Sequence, residues 1–123
     1  MQRLPLEGTH VVEFGQIVAG PTAGLILGDM GADVIKVEPP DAGTPSRPGN
    51  LRTGSFFFFN RNKRSLVVDL AAPEGYQVAL RLVRRADVLI ENMAPGTMDR
   101  LGLGYSTMSR ENPRLVYCSL KGY

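Results

Sequence analysis

Hydrophobic residues along the chain form short runs separated by helical and turn patterns. Runs rich in β-branched residues predict five strands, over residues 9–14, 33–37, 65–70, 87–91 and 115–120. Between the first two, residues 22–30 predict an apolar helix that begins at Pro21 and ends at Gly31, a left-handed C-terminal cap. The chain therefore opens with a strand, a helix and a strand.

The same alternation continues, with one interruption. Residues 38–62 are rich in proline and glycine and predict a long loop, a kind of segment that is usually functional. Pro73 and Glu74 open a helix with one apolar stripe, and residues 97–101 and 106–111 predict two short helices.

Strands joined by crossover helices must run parallel. The pattern therefore predicts an α/β fold with a Rossmann-like, doubly wound, mostly parallel sheet of about five strands with intervening helices. The fifth strand has no helix after it, although parallel sheets are normally covered on both faces. We therefore expect residues 1–123 to be an incomplete domain, the N-terminal part of a larger one.

Composition narrows the functional class. The 14 basic and 12 acidic side chains nearly cancel, which argues against nucleic acid or a membrane surface as partner. One cysteine and one histidine predict no disulfide framework and no zinc site, so no metal is expected. The N-terminus does not resemble a signal peptide and no apolar run could span a bilayer, so we expect a cytoplasmic location.

Ligands of open parallel sheets bind beyond the carboxyl ends of the strands. The segments to consider are residues 15–21, 38–62, 92–100 and 121–123. Residues 15–21 lack the GxGxxG fingerprint, although Glu38 follows Gly20 by 18 positions, near where a ribose-binding acid would fall. A plain strand-to-helix loop is the favoured interpretation.

Two polar segments have both a functional and a structural interpretation. Arg61, Lys63 and Arg64 could meet phosphates or a carboxylate, and could equally be a solvated charge run. Residues 92–96 could hold a polar ligand with Arg100 nearby for a phosphate, and could equally be a Pro-Gly turn.

Other conspicuous residues favour structural roles. Phe56 to Phe59 could line an apolar tunnel, but buried packing or an interface is more usual for adjacent aromatics. Cys118 lies between apolar neighbours and is expected in the core, and His10 has no evident partner. No pair of carboxylates suggests an acid and a base.

Taken together, eight segments resemble the family III CoA-transferases, a group that includes formyl-CoA transferase and carnitine CoA-transferase. They are residues 4–8, 19–21, 31–38, 60–65, 87–92, 95–96, 112–115 and 119–123. Their unbroken order across nearly the whole chain is far more specific than any one of them. Two alternatives stay open: the related 2-methylacyl-CoA racemase, and a non-catalytic CoA or nucleotide-binding module.

The resemblance implies covalent catalysis in which an aspartate is converted to an aspartyl-CoA thioester, with coenzyme A or acyl-CoA and a small carboxylic acid as substrates. That aspartate is expected beyond the position matching Tyr123, so no catalytic residue is assigned and this chain alone is expected to be inactive. Full-length relatives are interlocked homodimers, which implies the same assembly here.

The resemblance also implies CoA contacts from four segments: Val18 and Ala19; Val68, Asp69, Leu70 and Ala71; Asn92, Met93 and Ala94; and Arg100. Two departures qualify it. Pro39 and Pro40 stand where relatives often place a phosphate-binding arginine, for which Arg47 or Arg61 could substitute. Gln16 and Val18 differ from the residues near the acyl group in formyl-CoA transferase, which leaves substrate choice open.

Overall fold

The computed structural model describes residues 3–41 and 54–122. Its strands and helices alternate along the chain. They are β1 His10–Phe14, α1 Ala19–Asp29, β2 Asp33–Glu38, α2 Gly54–Asn60, β3 Lys63–Val67, α3 Pro73–Arg85, β4 Val88–Glu91, α4 Thr97–Arg100, α5 Tyr105–Glu111 and β5 Val116–Ser119.

The five strands form one sheet in the order β3-β2-β1-β4-β5, and every pairing is parallel. This confirms the predicted α/β class and the doubly wound parallel sheet. The chain winds from β1 toward β3 and then returns to add β4 and β5 on the other side of β1. The strand order therefore reverses between β1 and β4, which is the topological switch point where open α/β sheets bind ligands.

Alternating strand residues build two separate cores on the two faces of the sheet. Val11, Val34 and Ile90 pack on the side of α1. Val12, Phe14 and other large apolar residues pack on the side of α3, α4 and α5. The period of two along each strand explains the division, because successive side chains point to opposite faces.

The structure corrects the expected ends of two elements. α1 begins at Ala19, so Pro21 is the third helical residue and not the first; its missing N–H has no cost there, because the first four helix amides lack intrahelical acceptors. β3 runs from Lys63 to Val67 and not over residues 65–70. A pattern of hydrophobic residues does not indicate a strand that begins with a lysine, even when that lysine is buried.

Other local expectations are confirmed or revised. Gly31 follows the end of α1, as predicted, and has φ +102°, which favours glycine. A larger residue would also be too close to Leu4, because a Cβ at position 31 would lie 2.6 Å from Leu4 Cβ. Part of the predicted loop over residues 38–62 is the helix α2. Cys118 is partly buried and packs beside the core on the α1 side.

Two kinds of feature are absent from residues 3–41 and 54–122. None of their helices is long and apolar enough to cross a membrane. Among the same residues, no three His, Cys, Asp or Glu side chains are grouped so that they could hold a metal ion.

Candidate functional site

A single side chain joins the two loops that meet at the switch point. Asn92, directly after β4, accepts a hydrogen bond from the backbone N–H of Gln16 at 2.6 Å and donates one to the Gln16 carbonyl at 2.8 Å. Gly20 allows this approach, because a Cβ there would lie 2.7 Å from Asn92 Oδ1. The side-chain amide suits this double bond, because its oxygen accepts while its NH2 group donates.

The tip of the first loop is exposed and apolar. Ile17 has φ 61°, a conformation that β-branched residues rarely adopt, and its side chain is 80% exposed. Val18 is also exposed and precedes α1, which has no acidic residue in its first turn and no side-chain cap from the described residues. The first amides of α1 are thus left for other acceptors.

A buried carboxylate lies beneath this loop. Glu13 in β1 is fully buried, with Lys36 Nζ 2.9 Å from its Oε1 and Lys63 Nζ 2.7 Å from its Oε2. Lys36 also donates to the Gly15 carbonyl and Lys63 to the Pro21 carbonyl, each at 2.7 Å. Burial lowers the pKa of Lys63, and Glu13 opposes that shift. Lys36 therefore holds the start of the loop, and Lys63 holds the first turn of α1 that follows it.

A second buried carboxylate lies beside the loop after β4. Glu91 is 2% exposed and accepts hydrogen bonds from Ser119 Oγ at 2.5 Å, from the Met93 N–H at 2.9 Å and from Lys121 Nζ at 2.7 Å. Lys121 also donates to the Met93 carbonyl at 2.8 Å. Sequence reasoning missed both clusters, although a charge inside an apolar strand (VVEF, VIKVE, VLIE) was the available signal.

The predicted basic cluster meets carboxylates of its own chain. Arg61 pairs with Asp29 at 2.6 Å and lowers the pKa of that carboxyl, and Arg64 pairs with Asp33 at 2.5 Å. Lys63, with a side chain only 2% exposed, is not part of a solvated charge run. Arg61 is thus already engaged, and Arg47, the other proposed substitute for a phosphate-binding arginine, lies outside the described residues.

The sequence-predicted contact residues fall into two groups. Val18 and Ala19 lie at the switch point with Asn92, Met93 and Ala94, whose loops are joined as described above. Val68 to Ala71 follow β3, three strand spacings from β4, which is roughly 14 Å along the sheet. There Asp69 Oδ1 accepts the Ala71 N–H at 3.0 Å and forms the turn into α3.

Arg100 is the last residue of α4, the helix that follows the second loop. Its guanidinium donates to Thr97 Oγ1 at 3.0 Å, and a Cβ on Gly96 would lie 3.2 Å from its Nη1. The side chain thus lies over the start of α4.

Several structural interpretations change. His10 has a partner, since its Nδ1 lies 3.6 Å from Asp33 Oδ2, at the amino edge of the sheet. Phe57 and Phe58 are 64% and 61% exposed in α2, so the prediction of buried packing is wrong for them. Glu38 is buried and accepts a hydrogen bond from Ser65 Oγ, which does not favour a ribose-binding role.

Comparison with known proteins gives one consistent family. The model of CoA-transferase family III matches residues 6–123. The chain is 44% identical to the succinate–glutarate CoA-transferase of Agrobacterium fabrum, over 97% of this chain and 32% of that protein. It is 41% identical to the succinyl-CoA:glutarate CoA-transferase of Mus musculus, over 97% of this chain and 28% of that protein.

Solved structures agree. A CAIB/BAIF family protein from Brucella suis superposes with a TM-score of 0.88 and 44% identity, over 99% of this chain and 34% of that chain. A hypothetical protein from Mycobacterium tuberculosis gives a TM-score of 0.86 and 44% identity, over 98% of this chain and 34% of that chain. The chain thus spans about a third of the length of these relatives.

Proposed function

Because the chain belongs to CoA-transferase family III, we propose that it supplies the CoA-binding edge of an enzyme that moves CoA between an acyl-CoA donor and a carboxylic acid acceptor. The observation that carries the proposal is the family match over residues 6–123 with 44% identity to a CoA-transferase. The structure supports it with two joined loops at the switch point, where such folds bind nucleotides.

In this proposal both loops contact the same CoA molecule. The exposed Val18 and Ala19 lie against the pantetheine arm, and residues 92–94 contact it from the other side of the switch point. Arg100, beside the second loop, meets a phosphate of the nucleotide end. Val68 to Ala71, roughly 14 Å along the strand ends, reach a more distant part of the same extended molecule.

The covalent step is assigned outside this chain. The family resemblance implies that an aspartate attacks the thioester and releases the CoA thiolate. The thiolate then attacks the resulting anhydride, giving an aspartyl-CoA thioester and free carboxylate. Four of the described aspartates have structural partners: Asp29 with Arg61, Asp33 with Arg64, Asp69 with the Ala71 N–H and Asp87 with the His10 N–H.

Dicarboxylic substrates are the first to test. Relatives of this chain are named for succinyl-CoA together with glutarate, L-malate or D-citramalate. Another is named a probable fatty acyl-CoA transferase. We propose succinyl-CoA as donor, and assembly with a second chain, since two relatives are named as alpha and beta subunits of one enzyme.

The test is calorimetric titration of CoA into the 123-residue chain and into the longest polypeptide that its gene encodes, with succinyl transfer to glutarate assayed in both. We expect CoA binding by the long form, and Asn92→Leu should weaken it at least about tenfold because both bonds to Gln16 are lost. A long form that binds no CoA would contradict the proposal, and racemisation of a 2-methylacyl-CoA without transfer would replace it.

A further inference from the structure

The same arrangement of a glutamate and a lysine occurs on the two strands that flank the switch point. Near the end of β1, Lys36 bridges Glu13 and the carbonyl of Gly15, two residues later. At the end of β4, Lys121 bridges Glu91 and the carbonyl of Met93, again two residues later. Both glutamates are buried. Each lysine thus ties the end of a strand to the loop that follows it.

The two pairs act from opposite faces of the sheet. Glu13 is in register with Ile90, on the α1 side, whereas Glu91 is in register with Phe14, on the side of α3. Lys36 belongs to β2, the outer neighbour of β1, and Lys121 follows β5, the outer neighbour of β4. Each loop is consequently fastened on its outer side, while Asn92 joins the two loops at the centre.

Burying a charge is unfavourable unless it is paired. Even a paired lysine and carboxylate lose hydration free energy on burial, so such a pair contributes little net stability to a fold. Charge-assisted hydrogen bonds are however shorter and stronger than neutral ones, so they fix a backbone carbonyl closely. A loop held in one conformation before binding loses less entropy when the ligand arrives. The repeated geometry therefore fits preorganisation of the loops better than overall stability.

We propose that Glu13–Lys36 and Glu91–Lys121 are positioning pairs that hold the two switch-point loops in the conformation that receives a CoA thioester. The assignment of the ligand rests on the proposed function, whereas the effect on the loops does not. The pairs contact backbone carbonyls of the loops and act on the ligand through them.

The decisive variant is Glu91→Gln with Lys121→Met in the longest polypeptide that the gene encodes. The single oxygen of glutamine can still accept from the Met93 N–H, and its NH2 group can donate to Ser119 Oγ in place of the bond that Glu91 accepted. No buried charge is then left unpaired. The Met93 carbonyl alone loses its anchor. Lys121→Met, at a side chain 36% exposed, is the second variant if the double variant does not fold.

Two controls separate positioning from stability. Ser119→Ala removes a hydrogen bond to Glu91 and leaves Lys121 on the Met93 carbonyl. Arg84→Met with Glu111→Gln removes a salt bridge of 2.8 Å between α3 and α5, away from the switch point. The Arg84 and Glu111 control should leave CoA binding unchanged, even if it lowers the melting temperature. Ser119→Ala should leave exchange of residues 92–94 unchanged, because Lys121 still donates to the Met93 carbonyl.

Hydrogen exchange measures the mobility of the loop, and calorimetry measures the CoA dissociation constant. We expect exchange of the amides of residues 92–94 to rise about tenfold in the double variant, with no rise at Leu89 and Ile90 in β4, and the CoA dissociation constant to rise about tenfold. Unchanged exchange in residues 92–94 would overturn the inference. If wild-type protein binds no CoA, the proposed function fails, and the exchange result still decides whether the pairs position the loops.

Discussion

At the scale of single residues, three glycines are explained by the side chains they face. A Cβ on Gly15 would lie 2.8 Å from Glu13 Oε1, and one on Gly20 would lie 2.7 Å from Asn92 Oδ1. Gly24 stands inside α1, where glycine is unfavourable by about 1 kcal/mol relative to alanine. It is accommodated because a Cβ there would lie only 2.0 Å from Glu13 Oε2.

Gly24→Ala should therefore destabilise the protein in spite of alanine's helix propensity. We expect the free energy of unfolding to fall by about 2–3 kcal/mol, measured by urea denaturation, because the methyl group displaces Glu13 from its lysines. Gly54→Ala is the matched control, since nothing lies within 4 Å of a Cβ at that position. Equal stability of the Gly24 variant and wild type would mean that the Glu13 carboxylate does not occupy this space.

At the scale of elements, two tyrosines hold the connection between the short helices α4 and α5. The hydroxyl of Tyr76 donates to the Gly102 carbonyl at 3.2 Å, and that of Tyr117 donates to the Leu103 carbonyl at 3.0 Å. Helices of 4 and 7 residues are too short to be stable by themselves. They depend on such tertiary contacts, and burial, with the charges of Glu91 and Asp99, raises the pKa of Tyr117.

The raised pKa gives a pH dependence with a definite sign. Above the ordinary tyrosine pKa of about 10, the unfolded chain loses a proton that folded Tyr117 keeps, so stability falls as pH rises. Tyr117→Phe should be less stable than wild type by about 1 kcal/mol at pH 7, and the difference should shrink or reverse near pH 11. Thermal unfolding of both proteins at pH 7 and near pH 11 measures this difference in stability. A constant difference would show that Tyr117 titrates normally.

At the scale of the whole molecule, apolar surface is exposed on α2. Phe57 and Phe58 project on a helix that packs against α1, and Arg61 lies 5.5 Å from the Phe58 ring. Aromatic residues and arginine are both enriched in protein interfaces. The expectation of an interface thus stays a prediction, whereas the expectation of buried packing does not hold for these two residues.

Replacing these aromatics should reduce self-association. We expect Phe57→Gln with Phe58→Gln to lower the apparent association constant of the 123-residue chain at least about fivefold, measured by sedimentation velocity over a range of concentrations. Val116→Thr is the control, because Val116 is 61% exposed on β5 at the other end of the sheet. If the phenylalanine double variant associates as strongly as wild type, α2 is not part of the interface.

The sequence by itself determined what depends on local periodicity and turn chemistry. The spacing of apolar residues located four strands and, because β3 begins at a buried lysine, only part of that strand. Gly31 marked the end of α1, and ordered motifs identified the family. These features are local because each is decided by residues within a few positions of one another. The segments at the carboxyl ends of the strands followed from the parallel connections.

Tertiary structure decided which of those segments meet. Asn92 and Gln16 are 76 positions apart, Lys36 and Glu13 are 23 apart, and Lys121 and Glu91 are 30 apart, so no local pattern relates them. Strand order placed Val68 to Ala71 away from the switch point and gave Arg61, Lys63 and Arg64 carboxylate partners. Whether a charged side chain is solvated or buried in a pair depends on strand register, and that register exists only once the sheet has formed.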